Sequence, residues 1–205
     1  MKVAVVGGTG DFGLALAQQL VDAGHEVVVG SRDAERARAK AAEVGAAGAT
    51  NEDAVRGVDV VVLAVKAEAA LETAVSLRHA IAGTPVLSVA SELRFTKHGV
   101  FPGDEPRSIA ERTQELIAAP VVAGLHSLAA ASLAEGKADG DALVCGNNAD
   151  AKERVLELAA DVVTGRALDA GPLASARALE GMTAVIVNLN KRYRAHAGVQ
   201  VTGLP

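Results

Sequence analysis

The residues best suited to chemistry are three glycines, a Ser-Arg pair and one histidine: Gly8, Gly10, Gly13, Ser31, Arg32 and His126. The G-x-G-x-x-G spacing suits a pyrophosphate. Its first glycine permits a tight turn, its second lets phosphates approach the backbone, and its third lets helix and strand pack closely. Thr9, Asp11 and Phe12 lie between them and carry N–H groups at a helix start, where an anion is held. A second constellation follows one strand later, where an NAD-type domain carries an acid for the ribose 2′-hydroxyl. Here the residues are Gly30-Ser31-Arg32. A hydroxyl and a guanidinium suit a 2′-phosphate, which a carboxylate would repel. Arg36, one helical turn on, adds a second cation. Asp33 has two readings, the acid of an NAD-type site or the cap of the next helix. The pattern favours NADP(H) over NAD(H).

These groups need a strand, a turn and a helix to position them. Val3 to Val6 is a short apolar run, and Phe12, Leu16 and Leu20 follow at helical spacing. Glu26 to Val29 reads as the second strand and Ala34 to Val44 as a helix. Ala46 to Thr50 reads as a third strand, and Asn51 as the cap of a brief helix to Val55. Val60 to Val65 and Val86 to Ala90 are buried strands. Val65, Lys66 and Ala90 therefore stand at strand carboxyl ends, where open parallel sheets bind ligands. The segment from Phe95 to Arg107, punctuated by Gly99, Pro102, Gly103 and Pro106, reads as a loop over the site. Ser108 to Glu111 has capping-box spacing. Val121 to Leu125 then leads into His126, Ser127 and Leu128. Leu128 to Ala134 reads as helix, Ala142 to Cys145 as strand, Ala151 to Val163 as helix capped by Asp150, and Arg166 to Ala170 as the last strand. A long helix from Leu173 to Arg194 carries Arg177, Glu180, Thr183, Asn188 and Asn190 on an apolar background.

This order predicts a Rossmann-type α/β fold, a doubly wound parallel sheet with a small C-terminal α/β unit ending in a long helix. Residues 1–140 form the NADP-binding domain with site loop 95–107. Residues 141–205 complete the substrate site and a dimer contact.

Composition narrows the function classes. The chain has 205 residues and a net charge of −5, with no basic run dense enough to follow nucleic-acid phosphates. No uncharged apolar stretch reaches the ~18 residues of a membrane span. Only 2% of residues are aromatic, so the core must be built from Ala, Val and Leu. The single Cys145 cannot form an intrachain disulfide. The first residues enter a strand at once, which leaves no room for a signal peptide and points to the cytoplasm. His25, His98 and His196 are not spaced as metal ligands, so no metal is expected.

The whole order resembles the F420H2:NADP oxidoreductase family, the NADPH-dependent reductases of coenzyme F420. The resemblance rests on Val6-Gly7-Gly8-Thr9-Gly10 with Gly13, Gly30-Ser31-Arg32, Val121-Val122-Ala123 leading to His126, and Val144-Cys145-Gly146. Leu168 to Leu173 and Leu189 to Tyr193 complete it. Lys66-Ala67 stands where the family usually has Pro and an aromatic, and Ser91-Glu92 where Asn-Pro is common. The resemblance implies hydride transfer between nicotinamide and deazaflavin, usually in a homodimer. It places His126 beside the deazaflavin and matches Thr183 to a position near it, with Ser127 and Leu128 on the same side. His126 has a second reading as a strand cap, and Thr183 as an ordinary helix hydroxyl.

Direct hydride transfer asks the protein for distance, orientation and electrostatics. Two other functions fit the same residues. One is an NADP-dependent reductase of an imine or ketone, drawing a proton from Glu92, Lys66 or His126. The other is a non-catalytic NADP(H)-binding redox sensor.

Overall fold

The computed structural model describes residues 1–204. The chain runs β1 (Lys2–Val6), α1 (Asp11–Asp22), β2 (Glu26–Ser31), α2 (Ala34–Glu43), β3 (Ala47–Thr50), α3 (Asn51–Ala54), β4 (Val60–Leu63), α4 (Ala67–Ile81) and β5 (Val86–Ser88). It continues through β6 (Leu93–Thr96), β7 (Gly99–Pro102), α5 (Ile109–Leu116), β8 (Val121–Gly124), α6 (Ala130–Glu135), β9 (Ala142–Gly146), α7 (Ala149–Asp161), β10 (Ala167–Asp169) and α8 (Ala176–Tyr193). A 3₁₀ turn, Leu173–Ser175, precedes the last helix.

Eight strands form one sheet in the order β10-β9-β8-β5-β4-β1-β2-β3. The alternation of side chains decides which helices cover which face. Val3, Val5, Val29, Val60 and Val62 point to one face and pack with Leu16 and Leu20 of α1 and Val155 and Leu158 of α7. Ala4, Val6, Val61 and Leu63 point to the other, against Ala70, Ala74, Leu77 and Ile81 of α4 and Ile109 of α5. Strands buried on both faces read as continuous apolar runs, as Val60–Leu63 does. Each fully buried Val or Leu contributes about 1.5–3 kcal/mol.

The expected parallel sheet holds for six strands, but β9 pairs antiparallel to β8, with β10 parallel to β9. A parallel return from β8 would need a crossover the height of the sheet. The connection holds only α6, six residues long, so the chain stays at the carboxyl edge of β8 and re-enters from there. β9 and β10 thus extend the main sheet across the division expected at residue 140.

Three further expectations need correcting. Phe95 to Arg107 is not a plain loop, because its first half belongs to an antiparallel hairpin of β6 and β7 that starts at Leu93. Gly99, at φ 131°, makes its turn, and Asn188 of α8 replaces a third strand by bonding both the Val100 N–H (2.9 Å) and carbonyl (2.7 Å). The cap of α3 is Thr50, whose hydroxyl accepts from Asp53 N–H, and not Asn51. The cap of α7 is Asn148, which accepts from Ala151 N–H, and not Asp150.

Five polar residues of α8, Arg177, Glu180, Thr183, Asn188 and Asn190, each make a tie beyond the helix. Arg177 donates to the Gly103 and Glu105 carbonyls, Asn190 accepts from Ala197 N–H, and Glu180 accepts from Ile109 and Ala110 N–H at 3.0 and 3.2 Å. The Glu180 carboxylate thus neutralises the start of α5 from another helix, alongside the Ser108–Glu111 capping box.

Candidate functional site

The glycine turn is built by close approach. Gly7, just before the G-x-G-x-x-G motif, carries the positive φ, 73°, and a Cβ there would meet Val65 Cγ1 at 2.5 Å. A Cβ on Gly13 would meet Gly8 Cα at 2.8 Å, which is the helix–strand packing expected of the third glycine. At Gly10 the nearest atom to a Cβ is 3.7 Å away, so that side is open. Gly10 is the N-cap of α1 and has no side chain to cap it, so the first-turn N–H groups stay free for an anion. Asp11 is exposed beside them.

A cleft of about 810 Å³ runs from this turn across the ends of β2, β3 and β4, lined by Thr9, Gly10, Ser31, Arg32, Arg36, Asn51, Val65 and Lys66. Asp33 takes the capping reading, accepting from Glu35 and Arg36 N–H, while Ser31 Oγ accepts from Asp33 N–H. Among the described residues, neither Arg32 nor Arg36 pairs with a carboxylate. Two uncompensated guanidiniums beside a hydroxyl fit a phosphate monoester. Sequence reasoning missed Asn51, whose Oδ1 accepts from Gly7 N–H at 3.4 Å and abuts Gly30. The link joins the turn to the start of α3, 44 residues away, which no local pattern reveals.

A second pocket of about 220 Å³ opens beyond β4, β5 and β8. Phe12, Val65, Lys66, Ala90, Leu128 and Thr183 line it with His126, and Ser91 and Leu93 join them. Ala64, Val65 and Lys66 belong to both cavities, so the two meet at the end of β4. Ser127 is not brought there, because its hydroxyl turns to the Asp141 carbonyl at 3.5 Å and lines neither cavity.

His126 reaches this pocket through a strained turn. Leu125, which is buried, has φ 65°, a costly conformation for a branched side chain. His126 is only 5% exposed, and neither ring nitrogen has a hydrogen-bond partner among the described residues. Burial disfavours the imidazolium and pushes its pKa down to about 4, although the nearby Ala90 carbonyl opposes the shift. A neutral imidazole holds one N–H donor and one acceptor, both buried and unsatisfied here in a residue that lines the pocket. Such orphaned atoms suit a ligand. The Thr183 hydroxyl bridges the Ser91 hydroxyl and the His126 carbonyl.

A doubly wound sheet with a glycine turn, a cationic cleft and an adjoining apolar pocket defines an NADP(H)-binding oxidoreductase of Rossmann type. Residues 2–92 match the family described as NADP oxidoreductase, coenzyme F420-dependent. The F420-dependent NADP reductase of Methanothermobacter thermautotrophicus is 37% identical over all of this chain and 96% of its own length. That of Methanothermobacter marburgensis is 34% identical over the full length of both. A crystal structure from Arthrobacter sp. FB24, provisionally assigned as an F420-dependent NADP reductase, superposes with a TM-score of 0.85 at 28% identity, covering 99% of this chain and 100% of that one. The chain belongs to the F420-dependent NADP reductase family.

Proposed function

We propose that this protein transfers a hydride between NADP(H) and the deazaflavin coenzyme F420. The observation that carries the reading is the junction of the two cavities at Ala64, Val65 and Lys66. A dinucleotide whose 2′-phosphate lies at Arg32 and whose pyrophosphate lies on the glycine turn ends at that junction. His126 and Thr183 then face the second substrate. Full-length relatives named F420-dependent NADP reductase support the same pairing.

Ser31, Arg32 and Arg36 bind the 2′-phosphate. The free N–H groups of Thr9, Asp11 and Phe12 hold the pyrophosphate, with Gly8 and Gly13 giving the turn its shape and the Gly10 N–H closing it on the Gly7 carbonyl. Val65, Lys66 and Ala90 fix the ring end, and the apolar walls of Phe12, Leu125 and Leu128 exclude water. NADPH bound there supplies the hydride. His126 donates a hydrogen bond where electron density builds in the acceptor ring, and it does so as a neutral imidazole that keeps its N–H proton. The pocket is small and largely apolar, so this donor acts in a low local dielectric, where it is stronger than in water.

The division into a cofactor-binding part, residues 1–140, and a part completing the substrate site, residues 141–205, belongs to the same proposal, as does a cytoplasmic homodimer. Val185, Leu189 and Tyr193 form an exposed apolar stripe on α8, with Phe95 of the hairpin beside it under the Lys191 ammonium at 5.2 Å. An isologous contact would cover that stripe. Loss of the visible absorbance of F420 on adding NADPH and protein tests the reaction. Turnover confined to imines or ketones would overturn it.

A further inference from the structure

The hydroxyl groups at the mouth of the His126 pocket have a fixed direction. A carbonyl oxygen only accepts, so the 2.9 Å contact between Thr183 Oγ1 and the His126 carbonyl consumes the Thr183 proton. The 2.7 Å contact between Ser91 Oγ and Thr183 Oγ1 must then be a donation by Ser91. A serine hydroxyl has one proton and two lone pairs. With that proton committed to Thr183, Ser91 presents only lone pairs to the pocket it lines. Lys66 and His126 are the other polar side chains there. A lysine ammonium only donates, whereas Ser91, like Thr183, can only accept from a ligand.

We propose that Ser91 is a specificity-determining residue that accepts a hydrogen bond from an amide-type N–H of the bound ring system. Thr183 is the positioning residue that sets this polarity. The inference rests on the reading of the pocket as the meeting place of nicotinamide and deazaflavin. Both rings offer such a group, a carboxamide NH₂ on one and an imide N–H on the other. A serine with a free rotor would serve donors and acceptors alike. One locked by Thr183 rejects a ligand that brings a second acceptor, because two lone-pair-bearing atoms would then face each other without a proton between them. Thr183, its own proton spent on His126, can meet a substrate only as an acceptor.

The test uses the apo protein, calorimetry and three probes. The first, 2′,5′-ADP, fills only the adenosine end and reports an intact fold and cofactor cleft. The others are NADP⁺ and its 3-acetylpyridine analogue, in which a methyl ketone replaces the carboxamide and the N–H donor is lost. If the carboxamide is the partner, the wild type binds the analogue about three- to tenfold more weakly than NADP⁺. Ser91→Ala erases that gap and Ser91→Thr keeps it. Thr183→Val also erases it, although Ser91 remains, because the freed hydroxyl no longer presents lone pairs alone. If the imide of the second substrate is the partner, the wild type shows no gap. Ser91→Ala then raises KM for F420 about three- to tenfold at unchanged NADP⁺ affinity, Ser91→Thr restores it, and Thr183→Val, whose freed Ser91 still accepts, leaves KM within about twofold. Normal 2′,5′-ADP binding with neither effect overturns the role of Ser91 alone. Loss of discrimination in Ser91→Ala but not in Thr183→Val overturns the polarity argument. Failure of 2′,5′-ADP to bind the wild type overturns the underlying cofactor reading and this inference with it.

Discussion

Thr183 Oγ1 donates to the main-chain carbonyl of His126 at 2.9 Å, tying α8 to the end of β8 across 57 residues of sequence. The bond fixes the main chain one residue after Leu125, whose φ of 65° turns the imidazole into the pocket. A strained backbone persists only where its surroundings over-determine it, and this hydrogen bond is one such restraint.

His126→Ala should therefore act on rate and leave cofactor binding nearly intact. We expect hydride transfer to F420 to fall about tenfold to a hundredfold, less than a fixed oxyanion donor loses because the deazaflavin delocalises its charge. NADPH affinity should stay within about a factor of three. Single-turnover kinetics beside equilibrium titration separates the two. A matching loss of NADPH affinity would remove His126 from the second-substrate side.

Arg32→Ala should weaken NADPH binding by about 1.5–3 kcal/mol and leave NADH binding unchanged, because only NADPH carries the 2′-phosphate. Calorimetry with both cofactors decides this. Equal losses would mean that Arg32 is merely a solvated side chain.

Two buried groups should give opposing pH slopes to stability. Burial raises the Glu180 carboxyl to about 7 from an ordinary 4.5, against the pull of the Ile109 and Ala110 N–H groups and of Arg177 and Arg112. The folded state then binds the extra proton between those values, so this contribution is full below pH 4.5 and is lost as pH rises through 7. His126 is depressed to about 4 from 6.5, so its contribution is full above pH 6.5 and is lost as pH falls through 4. Each shift is worth about 3 kcal/mol, and in the wild type the two largely cancel. Urea midpoints for Glu180→Gln should rise from pH 4 to 6.5, and those for His126→Asn should fall from pH 4.5 to 7. Parallel profiles in the two variants would contradict this account. Asp141, held near 2 chiefly by Arg166, acts only below this window.

Light scattering at micromolar concentration should give twice the 20.7 kDa chain mass for the wild type and the chain mass itself for Leu189→Glu, which puts a charge in the α8 stripe. A wild type at 20.7 kDa would leave that stripe facing solvent.

The parts legible in the sequence were those set by local chemistry. The glycine turn, Ser31-Arg32 and the Ser108 capping box each depend on residues a few positions apart, and the apolar runs located every strand of the main sheet. What escaped depends on distant partners. The β6–β7 hairpin hides behind Gly and Pro punctuation, and its edge is completed by Asn188, 88 residues on. Thr50 and Asn148 cap α3 and α7 in place of neighbours with equally good side chains, a choice made by where the chain leaves the strand. Gly7, not the first glycine of the motif, takes the positive φ, and Val65 leaves no room there for a side chain. Ser91 reaches Thr183 across 92 residues, and the reversed β9 follows from the shortness of α6.

The most direct test of the central claim follows the hydrogen itself. NADPH deuterated separately on each face of the nicotinamide C4 is mixed with protein and oxidised F420, and the reduced deazaflavin is analysed by mass spectrometry. Direct transfer predicts one deuterium in the deazaflavin from one of the two labelled cofactors and none from the other. Unlabelled reduced F420 from both, or bound cofactor with no reduction at all, would contradict it.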